Sequence, residues 1–228
     1  LTTNSSGQTE TVDLPAPPLE LSLNEANTTR PYTTYNIRIE ALGYETEFIE
    51  NAEILPDVLA IQNVRLTSKN ASLTEDIMIP DHTLYGEYPP KVPEEEIKPV
   101  NEPGEIVLSR VVVPEIIVVH DGVPSNNSAQ NYYVNYRDYI KNVASSEIYA
   151  TWPTATIEAN VLAIMSFTLN RVYTEWYRNK GYDFTITSST AYDQKWIYGR
   201  NIFESISLVV DNIFDQYLSR PDVRQPIL

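Results

Sequence analysis

Cysteine is absent from the 228 residues, so the chain can form no disulfide, present no thiolate nucleophile and offer no thiolate to a metal. Histidine is nearly absent: His82 and His120 are the only two, far apart in sequence, and they do not make the clustered ligand set of a zinc site. Both read as structural residues. Positive charge is in short supply, with 16 Lys and Arg against 31 Asp and Glu, a formal net charge of −15. That balance argues against nucleic acid, whose binding requires Lys and Arg to displace phosphate counterions, and against docking on anionic lipid. No Asp-x-Asp-x-Asp-Gly calcium loop accompanies the acidity. Long apolar runs are lacking too. The two longest, 111–119 and 161–169, are interrupted by Pro114, Glu115 and Ser166, and neither reaches the ~20 residues of a membrane span. The chain opens at Leu1 with no basic-then-apolar leader, which reads as a fragment or a processed form. Asn4, Asn27, Asn70 and Asn126 each head an N-glycosylation sequon, a signal with meaning only on a eukaryotic secretory route.

What is present divides into three textures. Over residues 1 to about 68 the pattern alternates as in strands. Tyr35-Asn-Ile-Arg-Ile-Glu-Ala-Leu-Gly-Tyr44 puts Tyr35, Ile37, Ile39 and Ala41 on one face, and Leu59-Ala-Ile-Gln-Asn-Val-Arg-Leu66 is a second candidate. Asn4-Ser-Ser-Gly7 is a turn signal and Leu14-Pro-Ala-Pro-Pro18 a stop. An antiparallel β-sandwich is the class this predicts. Residues 69 to 110 are rich in proline and charge, with Tyr88-Pro-Pro-Lys-Val-Pro-Glu-Glu-Glu-Ile-Lys-Pro99 the densest part. Proline fixes φ and removes donors, so this stretch is expected to be an extended, semi-rigid strap.

Residues 111–228 are helical in pattern after one short strand, Glu115-Ile-Ile-Val-Val-His120, which turns at Asp121-Gly122. Tyr136, Tyr139, Ile140 and Val143 recur at helical spacing over 136–148. A second helix is predicted from Thr154, its N-cap, to Gly181, with Ile157, Val161, Ile164, Met165, Thr168, Leu169, Val172 and Trp176 in one stripe. A third is predicted from Asn201-Ile-Phe-Glu204, a capping-box-like start, through Ile206, Val209, Val210, Ile213, Phe214 and Tyr217 to Pro221. The fold class expected is therefore α+β: a β-sandwich module, a Pro-rich linker and an α-rich domain with a small sheet.

Two resemblances sharpen this. Thr3-Asn-Ser-Ser-Gly7, Leu14-Pro15 and Tyr35-x-Ile-x-Ile-Glu-Ala-x-Gly43-Tyr44 together resemble a carboxypeptidase-regulatory-like (transthyretin-like) module, in which the Gly-Tyr pair ends a strand and starts a turn. In the second half, Asp138-Tyr139, Ala144-Ser-Ser-Glu147, Trp152-Pro153 and the helix from Thr154, followed by Gly181-Tyr-Asp183 and Gln194-x-Trp196-x-x-Gly199, resemble the SpoIID/LytB domain of peptidoglycan glycan-strand cleaving proteins. That resemblance runs from about Ile116 to the C-terminus and implies an incomplete domain at that end.

The SpoIID/LytB resemblance implies that Glu147 is the catalytic carboxylate of a lytic transglycosylase, with Trp152, Tyr192, Gln194 and Trp196 as substrate-binding residues; no cofactor or metal is expected, because this sequence lacks the family's zinc-holding residues. The chemistry is coherent. A carboxylic acid whose pKa is raised by apolar surroundings can protonate a leaving glycosidic oxygen at neutral pH. The resulting carboxylate can then take the proton from the sugar's own hydroxyl as it closes on the anomeric carbon. No second carboxylate is needed, unlike the usual glycosidase pair. Ile148, Tyr149 and Trp152 would supply the apolar surround. Trp176, on the helix stripe, reads as core. The sequence departs from the family at Glu158 and Met165, where a Lys and an Arg are usual, and at Ser188, Tyr192 and Asp193, where two cysteines and a histidine can hold zinc. Two functions are implied: a lyase of peptidoglycan glycan strands, and a non-catalytic spore-coat or envelope protein that uses the scaffold for attachment or assembly with other envelope proteins. A third, an adhesin stalk fragment, would place binding in the β module. The expected setting is extracytoplasmic, in the cell wall or spore envelope of a Gram-positive bacterium.

Overall fold

A computed structural model describes residues 1–70, 76–93, 109–221 and 225–228. Among these the chain is α+β, with three small sheets and four helices. The order is α1 (Glu20–Leu23), β1 (Thr33–Ile39), β2 (Glu47–Ile54), β3 (Ala60–Ile61), β4 (Ile77–Met78), β5 (Ile116–His120) and β6 (Asn131–Asn135). Then come α2 (Tyr136–Glu147), α3 (Thr154–Tyr173), a 3-10 turn (Arg178–Lys180), β7 (Ile186–Thr187), β8 (Ile202–Phe203) and α4 (Glu204–Ile213).

The alternation at 35–39 becomes β1, which pairs antiparallel with β2, while two-residue β4 joins β2 in parallel. Ile37, Ile39 and Ile77 cover a small core of Ile49, Ala52 and Ile79. The connecting turn falls at Gly43, whose φ of 86° only glycine adopts without strain. Among the described residues this sheet has three strands, in the order β1-β2-β4, and no further strand of the expected β-sandwich joins it. The segment expected to supply another strand, 59–66, contributes only two residues to a ladder, and these pair as β3 with β8, far along the chain. The strap expected over 69–110 is likewise partly folded. It carries β4, buried Ile79 and buried His82, while 71–75 and 94–108 lie outside the described residues.

β5 is central in a sheet of order β6-β5-β7, antiparallel to β6 and parallel to β7. Its last four residues are buried, which is why Ile116–His120 reads as a continuous apolar run and not as an alternating one. The main core is built on it. Ile117 and Val119 meet Tyr139, Ile140 and Val143 of α2, Ile157, Val161, Met165 and Leu169 of α3, and Ile206 and Val210 of α4. Each such side chain contributes roughly 1.5–3 kcal/mol on leaving water. Tyr32 and Leu55 belong to the same cluster, so the first 68 residues share a core with the helical half.

Helix ends differ from expectation for local reasons. Thr154 is the first helical residue and Pro153 takes the N-cap position, consistent with the fixed φ of proline. α3 stops at Tyr173; Glu175 turns left-handed with φ 46°, and the 3-10 turn carries the chain to Gly181 at φ 86°. Asn201 does not cap α4, which begins at Glu204 after Phe203. Its side chain is buried elsewhere, pairing with the backbone N–H and C=O of Glu53 at 3.0 and 2.8 Å. α4 ends at Ile213, short of Pro221.

Candidate functional site

Glu147 is the last residue of α2, and the chain leaves the helix there, with Ile148 fully extended at φ −133°, ψ 148°. The helix that presents it is bound along one face to the loop 194–203. The Tyr139 hydroxyl donates to Gln194 Oε1 at 3.1 Å. Asn142, one turn on, pairs with both backbone groups of Ile197: Nδ2 donates to its C=O at 2.8 Å and Oδ1 accepts its N–H at 2.9 Å. Ser145 Oγ accepts the Phe203 N–H at 3.4 Å, and Ser146 Oγ accepts from Arg200 Nη1 at 3.0 Å. Residues three and four apart share a helix face, so the spacing 139, 142, 145, 146 makes a polar strip facing inward.

The strip delivers Glu147 to the same loop, where the Lys195 backbone N–H donates to Glu147 Oε1 at 2.7 Å. Burial pushes this carboxyl from an ordinary 4.5 up to about 7, against the lowering effects of the Lys195 N–H and the Lys91 ammonium. The residue as a whole is half-buried. Lys195 Nζ has its own pKa lowered by burial and lies 5.2 Å from the Tyr88 ring centroid. The segment before residue 94 crosses this loop: Val92 N–H donates to Ala191 C=O at 2.6 Å, and Lys91 Nζ reaches Asp193 C=O at 3.4 Å. The arrangement can hold a carboxylic acid protonated near neutrality beside a fixed N–H donor, with the Lys91 ammonium close enough to act on it.

The other residues expected at the site scatter. Gln194 is 5 % exposed and engaged inside the protein: Nε2 donates to Ile164 C=O at 2.9 Å, and Oε1 lies within hydrogen-bond distance of Tyr139 and Thr168. Trp196 is also 5 % exposed and belongs to the main core, with Tyr132 at 5.2 Å between ring centroids. Neither presents a free face to a sugar. Trp152 is partly buried; its Nε1 donates to Ser22 C=O at 2.9 Å and its ring meets Tyr149 edge-on at 5.9 Å. Tyr192 is partly exposed beside the 191–195 loop, its C=O accepting from Arg171 Nη2 at 3.4 Å.

At the positions where the resemblance would put zinc ligands, Asp193 lies in a buried ion pair instead. Its Oδ1 accepts from Arg171 Nε at 2.8 Å, and Oδ2 accepts from Tyr177 Oη, Thr187 N and Thr187 Oγ1 at 2.6, 2.9 and 2.7 Å. Ser188 Oγ donates to Asp121 Oδ1 at 2.7 Å. The Asp193 carboxylate is thus fully engaged by protein donors, and no cluster of metal-ligating side chains occurs among the described residues. Glu158 is exposed on α3, whereas Met165 is buried in the core. His82 and His120 are both buried, the first against Tyr149 and the second stacked on Phe184.

Arg171, Arg200, Glu53 and Asn142 were not legible as site-forming residues. Their partners lie 22, 54, 147 and 55 positions away, and no local pattern announces such pairs. Asn142 with Ser145 and Ser146 did carry a signal, small polar residues one turn apart next to the apolar stripe of the helix. Comparison of the chain with protein-family models, with curated proteins and with solved structures finds no match.

Proposed function

We propose that this chain is a cell-wall or spore-envelope protein of the SpoIID/LytB type that engages peptidoglycan glycan strands and cleaves them without water. Glu147 acts first as acid to the leaving glycosidic oxygen and then as base to the sugar hydroxyl that closes on the anomeric carbon. The observation that carries the reading is the state of Glu147: a carboxyl pushed up to about 7 by burial and aimed by one backbone N–H, on a residue that is half-buried and not sealed in the core. A group that titrates near neutrality can serve as acid and base in successive steps. Lys91, whose ammonium acts on Glu147, would meet negative charge on a bound strand. Trp152 and Tyr192, both partly exposed, are the remaining candidates for contact with sugar rings.

A second reading, a non-catalytic envelope or spore-coat protein on the same scaffold, is favoured by one specific observation. Two of the four residues expected to contact substrate, Gln194 and Trp196, are sealed inside the protein. Digestion of peptide-stripped glycan strands separates the readings when the chain is compared with Glu147→Gln and products are weighed by mass spectrometry. Anhydro-ended fragments that vanish in the variant are the expected result. Intact strands after treatment with the folded wild type would leave the assembly role in place and end the catalytic one.

A further inference from the structure

The C-terminal turn of α2 carries Glu147, and it is held by residues from outside the helical half. The last four carbonyls of a helix have no partner within it. One of these, Ser146 C=O, accepts from the Thr83 Oγ1–H at 2.8 Å and the Thr83 N–H at 3.3 Å. Thr83 is itself fixed. It lies in the turn that starts at Asp81, where His82 N–H donates to Tyr32 Oη at 3.0 Å, Tyr32 Oη donates to Asp81 Oδ1 at 3.1 Å, and Tyr88 Oη donates to Asp81 C=O. The same serine is gripped at its side chain: Ser146 Oγ donates to Asn142 C=O at 2.9 Å and accepts from Arg200 Nη1 at 3.0 Å. Arg200, its side chain fully buried, reaches Glu53 Oε2 of β2 at 3.5 Å, and Asn201 zips to the Glu53 backbone alongside. Gly199 makes that approach possible, since a Cβ there would overlap the Ile77 side chain of β4.

We propose that Thr83 and Arg200 are positioning residues for Glu147, so that the N-terminal half is a working part of the site and not a spacer. Ser146 is tied by its carbonyl to the 81–86 turn and by its hydroxyl, through Arg200, to β2. The next residue must then project its carboxyl onto the Lys195 N–H. Release of Ser146 would let the last turn fray, admit water and break the 2.7 Å bond to Lys195. This inference rests on the reading of Glu147 as the acting carboxyl, but its test uses no glycan. The charged and titratable groups that act on Glu147 are Lys91 from the segment before residue 94 and the Tyr139 hydroxyl of α2 itself, and the loop contributes the Lys195 backbone N–H. The variants below leave all three in place.

The test follows the Lys195 amide proton and the Glu147 side-chain carboxyl carbon by NMR between pH 4 and 9, with Glu147→Gln to assign both titrations. In the wild type the amide proton should move with the carboxyl. Thr83→Val keeps shape and the backbone N–H but removes the hydroxyl donor. Burial is the largest influence on Glu147, so its loss should lower the midpoint by about one pH unit and flatten the amide response. Thr83→Ser should restore both. Arg200→Lys, which keeps the charge but loses the bond geometry to Ser146, should act in the same direction as Thr83→Val. Unchanged titration of Glu147 and Lys195 in folded Thr83→Val and Arg200→Lys would overturn the proposal. A failure of the glycan digestion alone would leave these titrations as they are, so the two ideas fail separately.

Discussion

At the residue scale the account turns on Glu147 and on the free energy of keeping it protonated. Its pKa is raised from 4.5 to about 7 by burial, so the folded state holds this proton more tightly than the unfolded chain does. Between those values the folded state binds more protons, and stability therefore falls as pH rises through the window. The amide of Glu147→Gln does not ionise and still accepts from the Lys195 N–H. The variant should thus gain stability relative to wild type between pH 4.5 and 7.5, on the order of 2 kcal/mol. Urea melts at the two pH values check this, and a gap that stays constant across the window would show that the carboxyl titrates normally. Glu53 presents the same signature in a different setting. Its carboxyl is also pushed up to about 7 by burial, even though Arg200 lies beside it. The Arg171–Asp193 pair shows the other way to bury charge. Every Asp193 oxygen is bonded and Arg171 stacks on Trp176 and Phe167 at 4.3 and 4.5 Å, so the buried carboxylate is matched by donors and the guanidinium by aromatic faces.

At the element scale α2 is the part that joins the main core to the loop that holds Glu147. Its apolar residues Tyr139, Ile140 and Val143 were legible from 3.6-residue spacing, and so was its end at Glu147, one residue before the predicted stop. Its polar strip is what positions the loop. Asn142→Ala removes both bonds to Ile197 and strands a buried N–H and C=O, so it should cost about 2–4 kcal/mol. Denaturant midpoints measure this, with an unchanged slope expected because the exposed area is the same. A loss below half a kcal/mol would mean that Ile197 finds other partners. The strands show why patterns reach only so far. β1 followed its alternation, whereas 59–66 had a similar pattern and supplied two residues. Strand partners are non-local, and β3 found its partner in β8 rather than in the hairpin. Asn201 was read as a helix cap because Asn before Glu at the third position suits that role, but the backbone of Glu53 competes for the same amide and holds it.

At the scale of the whole molecule, composition and the order of elements were readable, while the way the halves meet was not. A mixed α and β chain with the helices in the second half follows from periodicity. That Tyr32 and Leu55 would enter the core of the helical half, that Ser22 would take the indole N–H of Trp152, and that Gln62 Nε2 would donate to Gly199 C=O do not. Such contacts depend on three-dimensional proximity across more than a hundred residues. The consequence falls on Glu147: a carboxyl at the end of one helix is aimed by a loop, capped by a turn and backed by a strand from three parts of the chain. The most direct test of the account is the release of anhydro-ended fragments from peptide-stripped glycan strands, measured from pH 5 to 9 for wild type and Glu147→Gln side by side. The account predicts that release changes through an ionisation near pH 7 and is absent at every pH in the variant. Fragments released equally by Glu147→Gln, or a wild-type profile flat across neutrality, would contradict it.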